Sequence, residues 1–109
     1  MPLIDLHELE QIELIHGYHV RFVHSDHMTI ANWQIEKDAA LPEHSHPHEQ
    51  VVNLIRGEFE LTVDGTPYHL TPGKVFVIPG GVRHAGRAIT ACHLIDVFHP
   101  VREDYRDKS

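Results

Sequence analysis

Short runs rich in β-branched and aromatic residues recur along this chain between turn signals, and that spacing restricts the fold more than any other feature. The runs are YHVRFVH (18–24), MTIANWQIE (28–36), QVVNLIR (50–56), EFELTVDG (58–65), PYHL (67–70), VFVI (75–78) and CHLIDVFH (92–99). Seven or more strands in 109 residues predict an all-β fold, a sandwich or a barrel. Within EFELTVD, Phe59, Leu61 and Val63 alternate with Glu58, Glu60, Thr62 and Asp64, the pattern of a strand with one wet face. Asp64-Gly65 then marks a tight turn. LHELEQIELI (6–15) hints at a helix and reads equally as a leading strand that pairs with a second subunit. No linker or repeat interrupts the pattern, so the expectation is one domain over 1–109.

Composition narrows the function classes. The formal charge of −7 has no basic cluster to offset it, which argues against nucleic acid and favours a small-molecule ligand. The N-terminus mixes acids with apolar residues and offers neither a basic leader region nor an unbroken apolar run. It reads as neither a signal peptide nor a membrane span, and the expected location is cytoplasmic. The lone Cys92 lies in an apolar run, where a buried structural thiol is the expectation.

Twelve histidines are many for such a chain, and only their spacing separates structural from functional ones. LPEHSHPHEQ (41–50) sets His44, His46, His48 and Gln50 at one parity, so an unbroken strand would point all four to one face. It would also spread them over roughly 20 Å at ~3.3 Å per residue, whereas one metal ion holds its ligands at about 2 Å. The chain must turn to build a single site, and Pro47 is the natural place. His44 and His46 precede that break as a pair on one strand face. GKVFVIPGGVRH (73–84) supplies a strand, a Pro-Gly-Gly turn and a distant third histidine, His84. Three nitrogens on a rigid β frame, with Gln50 or His48 as the fourth ligand, leave positions open for substrate or water.

The two halves resemble the paired signatures of the cupin superfamily. The first signature falls on His44, His46, Gln50 in the place of a glutamate, and Gly57; the second on Gly73, Pro79, Gly81 and His84. The resemblance implies a jelly-roll β-barrel of cupin type with one divalent metal in its mouth. Two departures stand out: Gln50 replaces the acidic ligand, and Ala88 stands where the second signature often has Asn. A neutral fourth ligand leaves the metal charge undiminished, which makes a stronger Lewis acid. IDVFHPVREDY (95–105) is more specific, because an Asp-x-Phe followed by an Arg four residues on is similar to the pectin-degradation proteins of the KdgF type. These convert 4,5-unsaturated monouronates from pectin or alginate to linear keto acids. That resemblance implies His44, His46, Gln50 and His84 as metal ligands and Asp96, Phe98 and Arg102 as the substrate-handling group.

The residues themselves point the same way. Asp96 and Phe98 share a phase with Cys92 and Leu94, so an acid sits on a face of buried-type side chains unless His93, Ile95 and Val97 form the inner face instead. A buried carboxylate needs a partner or a task. Arg102, otherwise a surface residue, has a planar fork suited to a uronate carboxylate. Phe98 is either core or a wall of the sugar pocket. The expected chemistry is a proton-transfer isomerisation in which the metal, Zn, Ni, Mn or Fe, stabilises negative charge as the ring opens and Asp96 moves the proton. The alternatives are a non-haem iron dioxygenase using the same cage and a non-catalytic cupin that binds a sugar acid. A homodimer is expected from the apolar positions of LIDLHELEQIELI (3–15).

Overall fold

The computed structural model describes residues 1–108, and among these the chain forms ten antiparallel strands in two sheets. They are β1 Ile12–Ile15, β2 Tyr18–His24, β3 Thr29–Ile35, β4 Ala40–His44, β5 Glu49–Arg56, β6 Phe59–Val63, β7 Thr66–Leu70, β8 Val75–Ile78, β9 His84–Ala88 and β10 Cys92–His99. One sheet runs β1-β2-β3-β10-β5-β8 and the other β4-β9-β6-β7. Their inner faces make the jelly-roll barrel, and alternation along each strand decides what lies between them. Tyr18, Val20 and Phe22 of β2, Ala31, Trp33 and Ile35 of β3, and Phe59, Leu61 and Val63 of β6 are all buried. Trp33 stands edge-on to Tyr18 and Phe22, with ring centroids 5.8 and 6.2 Å apart. Asp64 and Gly65 take φ of 48° and 80°, which closes the β6–β7 hairpin as their residue types favour. Cys92 is buried and donates its thiol hydrogen to backbone carbonyls of Glu58 and Thr90.

Two sequence expectations change. LHELEQIELI is mostly not helical: only Leu6–Glu8 forms a short 3-10 turn, and β1 then pairs with β2 of the same chain. Ile12 and Leu14 need an apolar surface, and the barrel beside β2 provides it within the chain. The structure also contains β4 and β9, ALPEH and HAGRA, which lack the composition of strands. They are held by pairing, β9 lying between β4 and β6. Among the described residues no helix is long and apolar enough to cross a membrane.

Candidate metal centre

His44 ends β4 directly opposite His84, which opens β9, and this pairing brings their rings to a centroid distance of 4.2 Å. His46 is not on the strand with His44. It sits in the connection between β4 and β5, because the strand ends at His44, two residues short of it, while the bend falls at Pro47 and His48 as expected. That connection is pinned by the Pro-Gly-Gly turn: Gly81 N–H donates to His46 O at 2.8 Å, and a Cβ at Gly80 would collide with the Pro47 carbonyl. The two sequence signatures thus meet through backbone contacts. His46 lies 4.9 Å from His84, ring centre to ring centre.

All three rings are oriented by the same local device. Nδ1 of His44 bonds Pro42 O at 2.8 Å, Nδ1 of His46 bonds His48 O at 3.0 Å, and Nδ1 of His84 bonds Val82 O at 2.9 Å. A carbonyl only accepts, so each Nδ1 carries the hydrogen and each Nε2 is left with its lone pair. One ring nitrogen from each histidine lies within 4.8 Å of the others, near the span that ligands about 2 Å from a common centre occupy. Nε2 of His84 is buried without a hydrogen-bond partner among the described residues. Nε2 of His46 faces Oε1 of Gln50 at 3.0 Å. With the His46 hydrogen on Nδ1, these are two acceptors facing one another, an arrangement that a cation satisfies. Burial, and next the nearby positive charge of Arg102, push His46 down to about 4, which keeps the ring in its ligand form. These donors fit a divalent metal held by His44, His46 and His84 with Gln50 beside them.

Next to this cluster, the inner phase of β10 is Cys92, Leu94, Asp96 and Phe98, so Asp96 points inward. The register sets Phe98 opposite Gln50 and Asp96 opposite Val52, two positions along the same face. Asp96 is only 6% exposed. Its Oδ2 accepts from Trp33 Nε1 at 3.0 Å, and its Oδ1 has no hydrogen-bond partner among the described residues. Burial raises this carboxyl to about 7, against the opposing pull of Gln50, Trp33 and Arg102. Phe98 meets His46 edge-on at 5.6 Å. Arg102 is buried as well, although it belongs to a charged tail. His44, His46, Gln50, His84, Asp96, Phe98 and Arg102 all line one cavity inside the barrel.

His48 stays outside the trio and contributes its carbonyl to His46. Arg83 and Arg87 are exposed, beside Glu43 and Asp38. Trp33 and Tyr105, which also line the cavity, were not anticipated from sequence. Trp33 had a weak signal as the only tryptophan in a strand of inward phase; Tyr105 had none beyond closing the motif IDVFHPVREDY.

A two-sheet jelly roll with a histidine trio inside it, arranged as a candidate metal site, is the architecture of the cupin class. The family model of the cupin domain matches residues 31–98, and the chain belongs to the cupin family. Its structure is similar to KdgF from Halomonas sp., with a TM-score of 0.90 and 25% identity over 96% of this chain and 98% of that one. An RmlC-like cupin from Shewanella frigidimarina is 31% identical, with a TM-score of 0.86 over 91% of this chain and 90% of that one. Oxalate decarboxylase from Bacillus subtilis shares the fold at 17% identity and a TM-score of 0.79; 89% of this chain matches 29% of that one. No curated protein matches the chain in sequence.

Proposed function

We propose that this protein is a metal-dependent isomerase that opens and ketonises 4,5-unsaturated monouronates. The observation that carries the reading is the charge balance of the cavity. None of the four candidate donors His44, His46, His84 and Gln50 is anionic, and the guanidinium of Arg102, although Asp104 already pairs its charge, lines the same cavity. A divalent ion there would retain its full charge, so the cavity calls for an anionic ligand, and a uronate carboxylate meets that demand. The likeness to KdgF over nearly the whole of both chains supports the same reading.

Ring opening breaks the C1–O bond of the hemiacetal with loss of its hydroxyl hydrogen, and the enol left at C5 becomes a ketone when C4 gains a proton. Atoms balance without an oxidant. When bound, the metal supplies Lewis-acid stabilisation of the oxygen that becomes negative. Arg102 holds the ligand carboxylate, and Phe98 walls the ring. Asp96 handles the proton through Oδ1, while Trp33 fixes Oδ2 and so orients the carboxyl. The test is to mix metal-loaded protein with 4,5-unsaturated galacturonate and follow loss of the conjugated double bond by ultraviolet absorbance, with NMR of the product. Oxygen uptake during turnover would favour the dioxygenase alternative, and binding without turnover the sugar-acid-binding one.

A second copy of the chain is the proposed partner, and the surface that favours it is the outer face of the six-stranded sheet. Val23, Ile30, Val97, Val51 and Val77 stand in one register row across β2, β3, β10, β5 and β8, all on the outward phase. With the neighbouring Ile95, Val75 and Ile55 they form an apolar face on which Ile30, Ile55, Val75 and Val77 are exposed, suited to the centre of an interface. Light scattering at micromolar concentration is expected to give a dimer, and Val97→Asp a monomer.

A further inference from the structure

Arg102 is held from three sides. Its guanidinium carbon lies 3.8 Å from the Tyr105 ring centroid and 4.8 Å from that of Phe98, and its backbone N–H donates to Thr29 Oγ1 at 2.9 Å. The third hold is Asp104, which accepts from Nε at 3.0 Å and from Nη2 at 2.8 Å. The Arg102 side chain is 8% exposed and that of Asp104 is 55% exposed, so the pair spans the wall between cavity and solvent.

A guanidinium offers two edges to carboxylates: side-on through Nε and one Nη, and end-on through both Nη atoms. Asp104 takes the side-on edge. We propose that Asp104 is a positioning residue, which grips Arg102 by its side-on edge so that the end-on edge is set for the carboxylate of a uronate at the histidine trio. The proposal rests on the functional reading above and extends it to an acid that does not itself touch the ligand. Phe98 and Tyr105 flank the guanidinium, but their own planes stand 78° apart, so they cannot both lie parallel to it and the rings alone leave it free to turn. The Asp104 grip removes that freedom before the ligand arrives, which lowers the ordering cost of binding. The strength of the pair shows in Asp104 itself, whose carboxyl is held below the usual range chiefly by its hydrogen bond to Arg102.

The experiment compares four metal-loaded proteins: the parent, Asp104→Ala, Arg102→Met, which keeps the aliphatic stem, and the double variant. Turnover of 4,5-unsaturated galacturonate by Asp104→Ala is expected to show KM raised about tenfold with a smaller change in kcat. Asp104→Glu should recover part of the loss. In the Arg102→Met background Asp104→Ala should add nothing further, because its effect passes through Arg102. An unchanged or lowered KM, or an effect that persists in full without Arg102, overturns the proposal; a lowered KM would make Asp104 a competitor for the guanidinium. Asp104→Asn, measured alongside, keeps the shape and covers the case in which the alanine variant does not fold. If the parent leaves the unsaturated uronate unchanged, it is the functional reading that falls. Calorimetric titration of the same proteins with galacturonate then decides the positioning role: weaker binding to Asp104→Ala, again without additivity, supports it. Equal affinity, or no binding by the parent, overturns it.

Discussion

Two histidine clusters of this molecule show how different the same residue type becomes when its second nitrogen is accounted for. His44, His46 and His84 contain no acid, and each ring has given Nδ1 to a backbone carbonyl. In the other cluster His19 lies between two carboxylates, 2.7 Å from Glu36 and 3.7 Å from Glu13. Those carboxylates already have partners, Gly17 N–H for Glu13 and His19 for Glu36, and the cluster faces solvent on the side of β2 away from the cavity. The first cluster has lone pairs without hydrogens; the second matches donors to acceptors. Proximity of ligand-type residues is therefore weaker support for a metal than an orientation that leaves acceptors facing one another.

The comparison breaks most sharply on metal content. His84→Ala and His46→Ala should lose the bound metal while keeping the fold, measured by elemental analysis, whereas His19→Ala should retain it. Metal retained in both cavity variants, or lost from His19→Ala, would invert the assignment. Next in size is Asp96→Asn, which should keep its metal and most of its ligand affinity but turn over something like 10² to 10⁴-fold more slowly, the range typical of a general acid or base. Ketonisation at the parent rate would exclude Asp96 as the proton carrier.

A stability measurement sharpens the same residue. In metal-free protein the Asp96 carboxyl is raised to about 7, so the folded chain binds this proton more tightly than the unfolded chain does. Stability should therefore fall as pH rises from the unfolded value of about 4 through about 7, and then level off. Asp96→Asn removes this loss. Its melting temperature should exceed the parent's by a margin that grows across that window, equivalent to at most about 4 kcal/mol. A margin independent of pH would mean that the carboxyl is not held in its neutral form by burial. The smallest effect is expected for His48→Ala, which should leave metal content nearly intact because only the His48 carbonyl serves His46. A large loss there would put a fourth imidazole in the site.

Much of the β frame was legible in sequence because alternation of side chains is a local property. YHVRFVH is β2 residue for residue, and the inward phase of Asp96 and Phe98 follows from the same parity as Cys92 and Leu94. What could not be read was β9, the strand that carries His84, and where β4, expected under both His44 and His46, would end. ALPEH and HAGRA have little strand propensity, and they are strands because β9 is paired on both sides. The placement of His46 in the turn, rather than beside His44, likewise follows from the Gly80–Gly81 contacts with the Pro47 region. Arg102 was expected in the substrate-handling group by resemblance, but its burial was not legible, since nothing local marks a charge for burial; Phe98, Tyr105, Thr29 and Asp104 surround it.

By itself, then, the sequence determined the all-β class, the phase of its inner faces and which residue types were available as ligands and acid, because each of these depends on periodicity and chemistry along the chain. Only the tertiary structure decided which ring nitrogens are free, that His44 stands opposite His84, and that Asp96 loses enough water to hold a proton near neutrality. Those depend on cross-strand register and on desolvation, which exist only once distant segments have packed together.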